Sequence, residues 1–302
     1  MPKSVRLSRD FLSQATGFYN KDNIIKYLPQ LGNNTTTITK ERAPTLPDKG
    51  YHATMKSKRR NKTSSQTKLQ YSDIWHMDIG FGPTTAIGGV RYCLMLVDKA
   101  TRLRKLYPLK NLTTSLQRAL RQFLTDVGVK PKLLRTDFDK KLIGSDSKDL
   151  LLNEKIRIES APPKRQHQNG LVERAWQSAV IMSRNWLRSS LLPSKFWYFA
   201  LRRATEISNI SPVKLQNEIT TPFTAVYGEK VDYMQLFPMF AVSYIKQPNE
   251  VGGGHKNKWA SQSLKTICVG ICQDSDGLLF YHPQSKSIIS CADNYHFDIF
   301  LI

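Results

Sequence analysis

The chain has 302 residues, of which 40% are apolar and 23% charged, and its formal net charge is +21. This length and composition are typical of a folded protein with a sizeable core, and they exclude a disordered or fibrous chain. A surface this positive attracts polyanions, so nucleic acid is the first partner to expect. A basic protein without such a partner, and one that rests on an anionic membrane, are the alternatives.

Targeting and redox signals are sparse. The sequence holds no run of roughly 18 or more apolar residues, so no membrane span is predicted. No apolar signal core follows the first residues, which favours an intracellular protein. The four cysteines are too few for a disulfide framework, and Cys268 and Cys272 lack a neighbouring His pair. Reduced thiols are therefore expected in preference to a zinc site.

Residues 1–68 hold 14 Lys or Arg against 4 Asp or Glu, and we predict a basic N-terminal arm and linker there. Apolar residues around Leu12 and Ile24 favour one or two short helices, which Asn, Thr and Pro residues interrupt. The basic cluster in the linker has three open interpretations: a nuclear import signal, a contact to DNA phosphates, or a solvated tether. Its central residues are Lys58, Arg59 and Arg60.

Residues 69–226 show strand patterns followed by alternating helices and strands. This order predicts an α/β domain, with a mixed sheet covered by helices. A buried central strand is expected at Arg91–Asp98, where the residues are almost continuously apolar. The other predicted strands are Ile74–Phe81, Leu103–Leu109, Pro131–Asp137 and Arg157–Ser160, and the predicted helices are Thr113 or Thr114 to Gly128, Ser147–Lys155, Leu171–Leu187 and one after Pro193.

Residues 227–302 return to short strand patterns with glycine-rich turns, which predicts a separate small all-β domain. Nothing in this part resembles a catalytic site. The predicted strands are Phe240–Ile245, Leu264–Gly270, Leu278–Tyr281 and Ser287–Ser290.

Three acids stand where carboxylates from different elements can converge. Asp78 alternates with Trp75, Met77 and Ile79 on the first strand of the α/β domain, Asp137 ends the fourth, and Glu173 opens the long helix, with 35 residues between it and Asp137. Clustered carboxylates hold the Mg²⁺ ions that catalyse phosphodiester transfer. A strand-end Asp is more often a turn former, and a Glu in a first helical turn more often serves the helix dipole. Competing acids are Asp73, Asp98, Asp126, Asp139 and Asp146.

Several phrases resemble the integrase region of a copia-type long-terminal-repeat retrotransposon polyprotein, which is retroviral-integrase-like and belongs to the DDE superfamily. The match covers roughly residues 70 to 300, and its most specific part is the Asn-Gly-hydrophobic-Val-Glu-Arg phrase. The phrases are Trp75-His76-Met77-Asp78, Leu134-Arg135-Thr136-Asp137, His167-Gln168-Asn169-Gly170-Leu171-Val172-Glu173-Arg174, Thr221-Pro222-Phe223 and Tyr227-Gly228.

The resemblance implies a ribonuclease-H-like five-stranded core and, after it, a small β-barrel of the Src-homology-3 kind. It makes Asp78, Asp137 and Glu173 a catalytic metal triad that uses Mg²⁺ or Mn²⁺ to process 3′ ends and transfer strands. It also implies element and target DNA as partners, a homo-oligomer, no membrane, and a place in the nucleus or a cytoplasmic particle.

Two departures from the family pattern matter. The residues after Asp137 are Phe138-Asp139-Lys140-Lys141 instead of the usual Asn-Gly, so Asp139 is a second candidate for facing the metal ions. The family's N-terminal zinc module is not matched, because no cysteine precedes Cys93 and the arm has only His52. The sequence therefore lends no support to zinc.

Cations and amides surround the acids in the sequence, and they are expected to contact DNA phosphates; an exposed, solvated loop is the alternative. Gln177, Arg184 and Arg188 share the helical face of Glu173, whereas Ala175, Ala179, Met182 and Trp186 lie on the opposite, packing face. The candidate contacts are Lys140, Lys141, Lys164, Arg165, Gln166, His167, Asn169, Arg174, Gln177, Arg184, Lys58, Arg59 and Arg60.

The sequence thus predicts an integrase. One alternative is a decayed or repurposed element copy that only binds DNA. A second is a stand-alone ribonuclease H, which the basic arm and the β domain argue against.

Overall fold

A computed structural model describes residues 5–7, 12, 14–17, 26–27, 36–38, 69–136, 145–160, 169–233, 236–246, 261–272 and 277–298. The chain divides into two compact units, Met1–Leu236 and Phe237–Ile302. Within the described ranges, no helix combines the length and apolar character needed to cross a membrane. The predicted basic cluster at Lys58, Arg59 and Arg60 lies outside these ranges.

The first unit is built on a mixed five-stranded sheet. Its strands are β3 (Ile74–Phe81), β4 (Tyr92–Asp98), β5 (Arg104–Leu109), β6 (Leu133–Thr136) and β7 (Arg157–Ser160), following a two-stranded pair, β1 (Val5–Leu7) and β2 (Thr36–Ile38). The spatial order is β5-β4-β3-β6-β7, with β3 antiparallel to β4 and parallel to β6. The predicted ribonuclease-H-like sheet is confirmed, and β4 is its buried, almost wholly apolar strand.

Helices cover this sheet. Helix α1 (Thr114–Asp126) packs Leu116, Leu120 and Phe123 on Trp75 and Met77 of the sheet core. The remaining elements are α2 (Ser145–Asn153), α3 (Gly170–Ser189), a 3-10 turn (Ser194–Phe196), α4 (Trp197–Ile210), the hairpin of β8 (Val213–Leu215) and β9 (Glu218–Thr220), and α5 (Pro222–Tyr227).

The C-terminal end of α1 is formed by Gly128, as predicted, and its N-terminal end is capped by Asn111. Gly128 follows the helix with φ +66°, the left-handed conformation expected of a helix stop. The side chain of Thr113 makes no capping hydrogen bond. Asn111 takes that role, because its Oδ1 accepts from the backbone N–H of Ser115 at 3.0 Å.

The packing face of α3 is buried as predicted, and part of it meets the N-terminal segment. The Trp186 indole donates to the backbone carbonyl of Gln14 at 2.6 Å, and Asn185 Nδ2 donates to that of Gly17 at 2.9 Å. A few described residues of the predicted arm therefore belong to the folded unit.

The second unit is a five-stranded antiparallel sheet in the order β13-β12-β11-β10-β14, compatible with a small β domain. Barrel closure of the Src-homology-3 kind stays a prediction. Strand β14 is too short for alternation to reveal it in the sequence. The strands are β10 (Val242–Lys246), β11 (Ser263–Ile271), β12 (Leu278–His282), β13 (Ser287–Cys291) and β14 (Tyr295–Phe297).

Candidate catalytic site

Asp78 lies on β3 and points to the face of the sheet opposite the α1 core. Trp75 and Met77, which alternate with it, are buried in that core, as the alternation predicted. Asp78 itself is half-buried. Its side of the strand, shared with His76 and Gly80, is the side that faces α3.

Glu173 lies in the first turn of α3 with its side chain exposed. The start of this helix is tied to β3 by Asn169. The side chain of Asn169 does not cap its own helix; its Oδ1 lies 3.1 Å from Nδ1 of His76, and its Nδ2 donates to the carbonyl of Met77 at 3.4 Å. The turn that carries Glu173 is therefore anchored to the residues that directly precede Asp78.

A second contact holds α3 close to β3. The indole of Trp176 lies on Gly80, so near that a Cβ at Gly80 would be 2.7 Å from the ring. Only glycine leaves room for the ring at this distance from the strand. Asn169 and Trp176 together fix one helical turn of α3 beside the strand of Asp78.

The face of the sheet beneath α3 is partly polar. One row of cross-strand partners runs over this face. Its members are Arg104, Val97, His76, Arg135 and Glu159. In this polar row, Arg135 Nε donates to Glu159 Oε2 at 3.0 Å. This face of the sheet therefore carries charged side chains that pair across neighbouring strands.

Arg104 links the polar row to two helices. Its Nη1 lies 2.9 Å from Oγ of both Ser178 on α3 and Ser208 on α4, and it donates to the carbonyl of Ala175 at 3.4 Å. Its backbone N–H and C=O also pair with Asn209. Sequence reasoning missed this link, since Arg104 stands out only as a charged residue at the start of a strand.

His76 is the most perturbed group of the polar row. Burial lowers its pKa to about 4; the hydrogen bond with Asn169 opposes this, and the positive charges of Arg135, Lys99 and Arg102 reinforce it. Its Nε2 is buried without a hydrogen-bond partner among the described residues. His76 is therefore neutral at pH 7 and serves as a link to Asn169.

We expect acid to destabilise the fold through His76. Between pH 6.5 and 4 the unfolded histidine takes up a proton and the folded one does not, so stability falls as the pH falls, by about 3 kcal/mol in total. His76→Gln keeps a hydrogen-bonding group towards Asn169 and cannot titrate. Urea unfolding from pH 7 to pH 4 should show a shallower loss for this variant. Parallel losses in both proteins would refute the role given to His76.

Asp137 and most of the predicted DNA contacts lie outside the described residues. The last paired residues of β3 and β6 are Met77 and Thr136. Asp78 directly follows the first of them, and Asp137 directly follows the second in the sequence. Other predicted residues outside the described ranges are Lys140, Lys141, Lys164, Arg165, Gln166 and His167.

The predicted contacts that are described divide into two groups. Arg174, Gln177 and Arg184 have exposed side chains on α3. Asn169 is only 1% exposed, and its amide is engaged within the protein. For the exposed group, contact with DNA stays a prediction.

Three of the competing acids have local structural roles. Each accepts hydrogen bonds that stabilise a turn or a helix end, and Asp98 is fully buried. They are Asp73 with Lys132 and Gln70, Asp98 with Ser72 and Thr101, and Asp126 with Tyr107 and Gln122.

The sequence is similar to parts of long plant polyproteins. It is 28% identical over 239 residues to the retrovirus-related Pol polyprotein from transposon TNT 1-94 of Nicotiana tabacum, a match that covers 77% of this chain. It is 28% identical over 181 residues to the corresponding polyprotein from transposon RE2 of Arabidopsis thaliana, covering 58% of this chain. The chain is therefore similar over part of its length to retrotransposon Pol polyproteins. The predicted integrase region of a copia-type element fits these relatives.

The matches span only 17% and 12% of the two Pol polyproteins. No family model matches the chain. The catalytic core domain of HTLV-2 integrase, solved with magnesium in a trimeric form, aligns over 53% of this chain and all of that core, at 17% identity and a TM-score of 0.42.

Proposed function

We propose that the chain is an integrase, a metal-dependent polynucleotidyl transferase that trims the 3′ ends of element DNA and joins them to target DNA. The observation that supports this is the Asn169 link, which holds the turn of Glu173 beside the strand of Asp78. Two carboxylates from distant parts of the chain thereby belong to one anchored pair of elements. Asp137 is the third acid of the proposed triad.

We assign Asp78, Asp137 and Glu173 as the residues that would hold Mg²⁺ or Mn²⁺. Carboxylate oxygens are the hard donors that Mg²⁺ prefers, and the chemistry that bound ions supply is stabilisation of the attacking and leaving oxygens. In the described part of the chain, which lacks Asp137, no three His, Cys, Asp or Glu side chains form a metal-binding group. Zinc has no part in the proposal.

DNA is the proposed substrate and partner. The net charge of +21 favours binding to phosphates, and the exposed Arg174, Gln177 and Arg184 extend from the turn of Glu173 along one face of α3. Joining two DNA ends requires at least two active sites, so the proposal includes a homo-oligomer. The proposed location is the nucleus or a cytoplasmic particle.

A strand-transfer assay with Mg²⁺ or Mn²⁺, a labelled duplex of the element's end sequence and a supercoiled target tests this function. We expect joined products that disappear with EDTA, and DNA binding whose affinity falls steeply with salt. Salt-sensitive binding without any joined product would instead identify a non-catalytic DNA-binding protein. Cleavage of RNA in hybrids without joining would identify a ribonuclease H.

A further inference from the structure

A shallow cleft opens at the far end of β3, beyond Asp78. Its volume is about 390 Å³, and Phe81 at its edge is 83% exposed, an unusual state for a phenylalanine. Asp78 and Phe81 are three positions apart, which is about 10 Å along a strand. We name this the distal cleft, and its lining residues are Phe81, Gly82, Thr84, Thr85, Arg91 and Tyr92.

The wall of the distal cleft is fixed by hydrogen bonds to the 3-10 turn and α4. The Trp197 indole donates to the carbonyl of Thr84 at 2.8 Å, and the N–H of Ile87 donates to the carbonyl of Lys195 at 3.1 Å. The N–H of Gly82 donates to the carbonyl of Arg91 at 3.1 Å and closes the base of the loop. The cleft is therefore formed before any ligand arrives.

One cation lines the distal cleft, and two more lie beside the loop that forms it. Arg91 lines the cleft itself. The side chain of Lys110 lies against the loop, with its Cε 3.7 Å from the position that a Cβ on Gly89 would occupy. Lys195 is exposed on the 3-10 turn beside the loop. The loop, residues 82–91, contains no Asp or Glu. Among the ion pairs of the described residues, none involves these three cations. The charges of Arg91 and Lys110 are therefore available to a ligand, whereas Lys195 Nζ lies 5.8 Å from the ring centroid of Phe196.

We propose that the distal cleft binds an unpaired nucleotide of a DNA strand, with the base on Phe81 and the flanking phosphates on Arg91, Lys110 and Lys195. An exposed aromatic ring in a cleft with an arginine, and with further cations beside the loop, suits single-stranded nucleic acid, because every base has a face that stacks and every nucleotide has a phosphate. The choice of DNA rests on the proposed function. Trimming a 3′ end would leave unpaired nucleotides on the other strand. Phe81 is about 10 Å beyond Asp78 along β3 and, by the alternation of the strand, on the opposite face of the sheet, so this strand would pass around the end of β3 to reach the cleft.

The test compares binding of a 20-nucleotide oligothymidine and a blunt 20-base-pair duplex to the full chain, by fluorescence anisotropy in EDTA. We expect Phe81→Ala to weaken single-strand binding about tenfold and to leave duplex binding unchanged, since stacking needs an exposed base. Phe81→Tyr keeps the ring and should restore wild-type affinity. Because Phe81 is on the surface, both variants should have the same melting temperature as the wild type.

Two matched controls separate the cleft from general surface effects. Leu191→Ala removes an equally exposed apolar side chain, 81% exposed, outside the cleft, and should change nothing. Arg91→Ala should weaken single-strand binding more than Arg118→Ala, which removes an exposed cation on α1. Equal affinities for Phe81→Ala and wild type would overturn the proposal. The proposal would also be overturned if Phe81→Ala lost self-association in sedimentation while its DNA binding was unchanged. The distal cleft would then be a contact between copies of the chain.

The outcome is independent of the strand-transfer result. Single-strand binding that depends on Phe81 in a chain that makes no joined product would support the distal cleft and overturn the integrase proposal. If the chain makes joined products and Phe81→Ala does not change its single-strand binding, the integrase proposal is supported and the distal-cleft proposal is overturned.

Discussion

Glu173→Gln is expected to reduce DNA joining by roughly a hundredfold to a thousandfold or more while DNA binding and thermal stability stay unchanged. The side chain is exposed in the first turn of α3, so a glutamine of the same shape fits without repacking. What it removes is the negative charge that would hold a divalent cation. The strand-transfer assay, run beside anisotropy with duplex DNA, measures both properties.

Asp149→Asn is the matched control for this loss of charge. Asp149 is an exposed acid on α2 and has no assigned role in the site, so its variant should join DNA like the wild type. Joining by Glu173→Gln at the wild-type rate would remove Glu173 from the triad. A lower melting temperature for Glu173→Gln would show that Glu173 stabilises the N-terminus of α3.

Parallel variants identify the second acid. Asp137→Asn should be as inactive as Asp78→Asn, and Asp139→Asn should remain active, because the resemblance assigns the metal to Asp137. The opposite pattern would move the role to Asp139, two residues further along the unusual Phe138-Asp139-Lys140-Lys141 segment. Manganese and magnesium should both be tried, since Mn²⁺ also accepts carboxylate ligands.

The elements that position Asp78 could be predicted because their signals are local. The alternation along β3 and the apolar run of β4 depend only on neighbouring residues, and both strands lie where the sequence places them. The apolar stripe of α3 likewise reveals which face is buried. These patterns follow from burial alone and need no knowledge of partners.

The link between these elements could not be predicted. Asn169 was expected to contact DNA because it lies among polar residues before a helix, whereas its partner His76 stands 93 positions earlier. Arg104 joins two helices through serine hydroxyls more than 70 positions away. Periodicity carries no information about such contacts, because a polar side chain in a local pattern looks the same whether it faces water or a buried partner.

The contact that Gly82 makes also could not be predicted from the sequence, and it leads us to expect a large loss of stability for Gly82→Ala. In the sequence, Gly82 and Pro83 only indicate a turn, but a Cβ on Gly82 would lie 2.1 Å from Cε2 of Trp197. The indole is buried and held by its hydrogen bond to Thr84, so it cannot rotate away freely. We expect Gly82→Ala to destabilise the chain by about 3 kcal/mol in urea unfolding.

Gly88→Ala separates this steric effect from the conformational cost of losing a glycine. Gly88 has φ +87°, and a Cβ there would meet nothing within 4 Å, so its variant should lose only about 1 kcal/mol. In a Trp197→Leu background the cost of Gly82→Ala should shrink, because the two positions are coupled through the ring. A loss for Gly82→Ala no greater than that for Gly88→Ala, or an undiminished loss in the Trp197→Leu background, would show that the indole does not set the need for glycine. A confirmed coupling would mean that the loop bearing the distal cleft keeps its shape through Trp197 of α4.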